Sequence, residues 1–283
     1  MQASPSTVHP ELEARLLERI GSAALELPML PETAVEVMAV CNDSSCDAAR
    51  LARLIQRDPA LAAHTLKVAN SAAYAPSEPI VSLQQAISRL GFKTMCDIAL
   101  AISVRNQMRI PAGQESRMRS LWQHSTIAGA WAREIARLRR RNAEGAFLCG
   151  LLHDIGKPVL LSELLAISAP MGIAPGSDQL ETLLHRHHAE VGAHTLSSWK
   201  LPEWMAQAVL HHHAPDAAGE HAEFARTAQL ADLLAHASLQ PDEATDAVLK
   251  EHPVLADLDL YSEDLDTLFE RRAAVNELAA AYQ

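Results

Sequence analysis

The chain has 283 residues, 48% of them hydrophobic, enough to fill a core without staples. Its formal net charge of −11 repels a phosphate backbone, which argues against nucleic acid as a partner. Aromatic residues make up only 4% and glycines number 11, while alanine and leucine recur throughout, so an all-α fold is expected.

Residues 1–10 lack a basic stretch followed by an apolar run. No segment approaches the roughly 18 consecutive apolar residues a bilayer span requires, so a cytoplasmic chain without membrane contact is expected. Apolar spacing predicts a first helix over 11–25. The Pro-bounded segment Leu27-Pro-Met-Leu-Pro31 leads into a second over 32–40, closed by Asn42, Asp43 and Ser44. Asp58 before Pro59 reads as an N-cap with proline at the first helical position, opening a helix that runs to Asn70. A loop over 74–79 follows. Ser82 with Gln85 is a capping-box pattern, and Gly91 is placed to end that helix before another begins near Lys93. Five short helices are thus expected before Ile110, and 111–116 is the best internal boundary.

Beyond it the pattern predicts a helix over 117–139, another from Ala143 through His153-Asp154, a short apolar piece over 159–167 and a loop over 170–177. Further helices are expected over 178–184, 188–199, 202–211 and 223–236, and in the acidic tail beyond Pro241. The expected organisation is a tail and helix start over 1–20, a helical subdomain over 21–115, and a second helical subdomain with acidic C-terminal helices over 116–283. Arg137, Arg139, Arg140 and Arg141 read either as a solvated helix end or as a patch for an anionic partner. Cys41, Cys46, Cys96 and Cys149 form no C-x-x-C pair, so reduced, mostly buried thiols are expected.

Nine of the 14 histidines lie between His185 and His236, a clustering that metal binding would explain. A lone His-Asp pair commonly does no more than cap or solvate a helix end. Here, however, His153-Asp154-Ile-Gly156-Lys157 ends an apolar run beginning at Phe147, so the charged end of a buried helix needs a partner. His124, among Leu121, Trp122 and Ile127, reads either as a core histidine or as a ligand. Asp232 lies in the apolar run 228–235, where an unpaired carboxylate is costly and a cation would resolve the cost. His187 and His188 precede one helix and His211, His212 and His213 end another, well placed to face a shared cleft, unless the triple merely complements its helix C-terminus. Nitrogen and oxygen donors without thiolate suit Fe, Mn, Zn, Co or Ni.

Taken together, the motifs resemble those of HDOD proteins, a bacterial signalling branch of the HD phosphohydrolase superfamily. The first half carries Leu27-Pro-Met-Leu-Pro31, Asp58-Pro59-Ala-Leu, Val68-Ala-Asn70-Ser-Ala-Ala-Tyr74, Ser82-Leu-Gln-Gln-Ala-Ile and Leu90-Gly91. The second adds Leu121-Trp122-Gln-His124-Ser, the His-Asp-Ile-Gly-Lys run, His188-Ala-Glu-Val-Gly192-Ala, Trp199-Lys-Leu-Pro202 and His212-His213 before Pro215. The resemblance implies an HDOD-type helical subdomain packed on an HD-like helical bundle. It places metal ligands on His124, His153, Asp154, His188, His212, His213 and Asp232.

Two divalent transition-metal ions are implied, bridged by Asp154, with His124, His153 and Asp232 on one and His188, His212 and His213 on the other. The implied role is signal transduction through protein partners or a nucleotide-like phosphate ligand. The alternative is a metal-dependent phosphohydrolase on nucleotides or cyclic dinucleotides, with Asp154 and Lys157 catalytic. In that case the ions would acidify a bridging water and Lys157 would contact phosphate, unless it merely compensates a helix terminus. After His213 the chain reads Ala-Pro-Asp-Ala-Ala-Gly and not the Gly-Tyr-Pro motif of cyclic-di-GMP-degrading relatives, which argues against that substrate. Ser120 stands where trinuclear relatives carry a glutamate, which argues against a third metal.

Overall fold

The computed structural model describes residues 8–22, 24–42, 47–71, 74, 78–108 and 110–282, and every regular element among them is helical. The helices are α1 (Pro10–Gly21), α2 (Glu32–Asn42), α3 (Ala48–Gln56), α4 (Pro59–Ala69), α5 (Leu83–Leu90), α6 (Phe92–Gln107), α7 (Glu115–Leu138) and α8 (Ala143–Leu152). They continue with α9 (Gly156–Ser168), α10 (Ser177–Ser198), α11 (Glu203–His211), α12 (Ala222–Leu239), α13 (Glu243–Lys250), α14 (Val254–Asp257), α15 (Ser262–Glu270) and α16 (Arg272–Ala281).

Helix α1 opens on Pro10 and buries Leu12, Leu16 and Ile20, one helical stripe. It ends at Gly21, earlier than the expected 25. It packs on α9, in a small core with Val159, Leu160, Leu164, Leu180, Leu183 and Leu184. Arg19 Nη1 donates to the buried Glu163 Oε2 at 2.7 Å and fixes that docking.

Six helices precede Ile110 among the described residues, one more than expected, because α3 is helical as well. Asp47 caps it by accepting from Arg50 N at 2.7 Å, and Leu51, Leu54 and Ile55 turn one face inward. Asp58 caps α4 through Ala60 N and Leu61 N, both at 3.0 Å. Asn70 then clamps the start of the next unit, accepting from Ile80 N at 2.7 Å and donating to Ile80 O at 2.8 Å. Ser82 accepts from Gln85 N at 3.1 Å, but the Gln85 side chain returns to Val81 N and not to Ser82 N, one residue off a true capping box. Gly91, at φ 89°, ends α5 and starts α6. Asp43, Ser44 and 75–77, where the sequence expects a helix end and a loop, lie outside the described residues.

The larger core runs continuously from α2–α6 through α7, α8, α11, α12 and the C-terminal helices. Helices α7 and α8 touch backbone to backbone: a Cβ on Gly150 would stand 2.6 Å from Ala128 O. The fully buried Trp131 ties α7 to α12 through Ser238 Oγ at 2.9 Å. At the C-terminus, Tyr282 O accepts from Trp122 Nε1 and Ala281 O lies at His64 Nε2, both at 3.2 Å, so the last turn straps α4 to α7.

Three further expectations are corrected. Helices over 178–184 and 188–199 are one, the 22-residue α10, because the polar run His185–Arg186 merely forms its exposed face while Leu184, His187 and His188 stay buried. The short apolar piece is the 13-residue α9. Cys96 is disulfide-bonded and not a reduced thiol, whereas Cys149 is free and buried as expected. No helix among the described residues is long and apolar enough to cross a membrane.

Candidate metal centre

Five elements deliver the candidate ligands. His124 comes from the middle of α7, His153 and Asp154 from the turn between α8 and α9, His188 from α10, His212 and His213 from the end of α11, and Asp232 from α12. The apolar α8 is buried from Gly145 to Leu152 and drives the His-Asp pair at its C-terminus into the interior. His153, His188 and His212 are fully buried, Asp154 is 2% exposed and His124 6%.

The structure brings all seven together. His124 Nε2 lies 2.9 Å from Asp232 Oδ1 and 3.3 Å from His153 Nε2. His188 Nε2 lies 3.2 Å from His212 Nε2 and 3.1 Å from His213 Nε2. Between the two groups stands Asp154: Oδ1 is 3.3 Å from His188 Nε2, while Oδ2 is 3.4 Å from His153 Nε2 and 3.6 Å from His124 Nε2. Lys157, in the first turn of α9, reaches Asp154 Oδ2 at 2.5 Å.

Backbone carbonyls set the tautomers. His153 Nδ1 donates to Gly150 O at 2.6 Å, His188 Nδ1 to Leu184 O and His185 O at 2.9 Å each, and His212 Nδ1 to Val209 O at 2.6 Å. In each neutral ring the lone pair is therefore on Nε2, aimed at the cluster. Burial lowers the pKa of His188 to about 4 and that of His212 well below the usual histidine range, so both rings are neutral. Two Nε2 lone pairs 3.2 Å apart cannot hydrogen-bond to each other. The buried Asp154 Oδ1, which has no hydrogen-bond donor, faces one of them. A cation satisfies all three, and the donor set of imidazole nitrogen and carboxylate oxygen is one that holds divalent transition metals.

The carboxylates are anionic. Burial opposes charge on Asp154, but His153 beside it, with Lys157 and His188, holds its carboxyl well below the usual range. Burial likewise opposes charge on Asp232, but hydrogen bonds from His124 and His153 hold its carboxyl well below the usual range. At His153 burial favours the neutral ring, yet Asp154 and Asp232 outweigh it and lift the metal-free pKa to about 10.

His187 turns away from the cluster, and its Nε2 meets Glu13 of α1 at 3.2 Å. Two histidines missed in the sequence stand at the rim. His236, one turn after Asp232 on α12, has Nε2 3.4 Å from Asp232 Oδ1, and the exposed His185 lies 5.4 Å from the His213 ring. The i, i+4 relation of His236 to Asp232 was the available signal. Three of the four clustered arginines meet partners within the chain: Arg139 bonds Leu258 O at 2.6 Å and Glu223 at 2.8 Å, Arg141 bonds Glu223, and Arg137 bonds Glu134, while Arg140 is exposed.

Residues 27–215 match the HDOD domain family. The chain belongs to that family. A relative by sequence is an uncharacterized protein of Treponema pallidum (strain Nichols), 25% identical over 234 residues, which are 79% of this chain and 44% of that one. The chain thus spans less than half the length of the curated relative it matches. A crystal structure from Shewanella amazonensis SB2B, provisionally named a metal-dependent phosphohydrolase, superposes with a TM-score of 0.79 at 24% identity, covering 96% of this chain and 98% of that one. Another, from Marinobacter aquaeolei VT8 and provisionally named a signal transduction protein, gives 0.69 at 24% identity, covering 99% and 67%. These likenesses show that the HDOD chain shares their all-helical fold.

Proposed function

We propose that this HDOD chain is a signal-transduction regulator whose HD centre holds two divalent transition-metal ions, drawn from Fe, Mn, Zn, Co and Ni. The observation that carries the reading is the position of Asp154: its two oxygens divide between two groups of histidines whose Nε2 atoms converge on it. Regulation draws support from the family and from the name of the Marinobacter relative. A cavity of about 620 Å³ between α6 and α7 offers a place for a nucleotide-like phosphate ligand. Arg105, Arg119 and Trp122 line it with Ser125 and Ile155, which directly follow His124 and Asp154 in the chain, and among the described residues no carboxylate does.

A second reading, a metal-dependent phosphohydrolase, is favoured by Lys157. Its ammonium lies 2.5 Å from Asp154 Oδ2 at the partly open edge of the cluster, within reach of a phosphate oxygen arriving there. Bound cations would supply Lewis acidity and a more acidic water. The chain's own residues hold them, keep the imidazoles in one tautomer and offer the Lys157 charge to the substrate.

One experiment separates the readings. The protein is supplied with Mn, Fe, Co or Ni and offered a panel of nucleotides and cyclic dinucleotides. The regulator reading expects metal uptake without turnover at enzymatic rates. Turnover that disappears in Asp154→Ala and falls at least tenfold in Lys157→Gln, with metal retained in the latter, would replace it with the second.

A further inference from the structure

We infer that His236 is an additional metal ligand of the centre, closing the cation position of His124 and Asp232 from the solvent side. The inference rests on the dinuclear reading above.

Asp232 and His236 are four residues apart on α12, so both side chains leave the same face of the helix, the spacing by which one helix chelates one ion. Asp232 Oδ1 is the shared corner, 2.9 Å from His124 Nε2 and 3.4 Å from His236 Nε2. The His236 ring lies 4.5 Å from that of His124, and one donor atom from each of the three residues lies within 4.8 Å of the others. Ligands about 2.0–2.1 Å from one ion stand roughly 2.9–3.4 Å apart in octahedral or tetrahedral geometry, which both Asp232 distances meet.

A plain hydrogen bond between His236 and Asp232 explains the placement less well. The imidazole is 66% exposed, where such a pair contributes little, and Asp232 Oδ1 already has His124 as a partner. As a ligand, His236 makes the two cation positions unequal. The His188, His212 and His213 group has no counterpart on α12, so loss of His236 weakens one equivalent and spares the other.

The test uses the full chain, stripped of metal and titrated with Co(II) while visible absorption and dialysed metal content are followed. His236→Gln keeps the polarity and the hydrogen bond to Asp232, whereas His236→Glu restores a donor atom. The expected result is that the Gln variant binds one of two equivalents about 10–100-fold more weakly with a changed Co(II) spectrum. The Glu variant recovers affinity. A wild type that binds two equivalents and a Gln variant that matches it in affinity and spectrum overturn the role of His236 alone. A wild type that takes up no Co(II) overturns the metal centre, and His236 ligation with it.

Discussion

Gly156 and His188 meet backbone to backbone: a Cβ on Gly156 would stand 2.0 Å from His188 O and 2.7 Å from Gly192 N. This contact seats the turn carrying His153 and Asp154 against α10. Nothing but hydrogen fits, and neither backbone can yield as a flexible side chain would. Gly156→Ala is expected to push α9 off α10 and draw Asp154 away from His188, with a stability loss of about 1–3 kcal/mol or more. Thermal unfolding of metal-free protein measures the packing cost separately from metal uptake, which falls too. Gly176→Ala, with open space around the new Cβ, is the matched control. Equal melting temperatures for Gly156→Ala and wild type would contradict this close contact.

The arginine cluster supplies a second test. Arg139 is 9% exposed and makes two bonds across to Leu258 O and Glu223, whereas Arg141 is 59% exposed and touches Glu223 from outside. Arg139→Ala is expected to cost about 1.5–3 kcal/mol, since it also strands a buried carbonyl. Arg141→Ala is expected to cost less than about 0.5 kcal/mol. Chemical denaturation of the two variants checks the ratio; equal, small losses would return the cluster to the reading as a free anionic-ligand patch.

These cases show what the sequence makes legible. The caps at Asp58 and Ser82 are local chemistry, a side-chain oxygen meeting an orphan amide two or three residues on, and can be read without the fold. Helix α3 has the same kind of cap at Asp47, but its nine residues end just before the stronger Asp58-Pro59 signal and are hidden by it. The continuity of α10 through His185–Arg186 depends on which face meets the core, and the choice of His188 over His187 depends on Glu13 of α1, far away in sequence. The candidate ligands stand in recognisable motifs. His236 does not: its meaning depends on Asp232 already being in the site.

Asp97 carries the pH prediction. Its Oδ2 is buried without a hydrogen-bond partner, and burial, opposed by Lys93 and reinforced by Glu144, raises its pKa from 3.8 to about 7. Between those values the folded protein keeps a proton that the unfolded chain has released. Stability therefore falls as pH rises from about 4 to 7 and is flat above, a contribution on the order of 4 kcal/mol. Asp97→Asn removes the titration, so its melting temperature should exceed that of wild type at pH 8 and converge with it near pH 4. A variant less stable than wild type at pH 8 would contradict the burial argument.

The central claim is that Asp154 stands between two cations. Elemental analysis of the purified chain after exposure to Mn, Fe, Co, Ni and Zn tests it most directly, beside a His153→Ala/Asp154→Ala double variant that keeps its helical circular dichroism. The expected result is two equivalents of transition metal per wild-type chain and at most a trace in the double variant. A folded wild-type protein that remains empty would contradict the metal centre and both functions built on it.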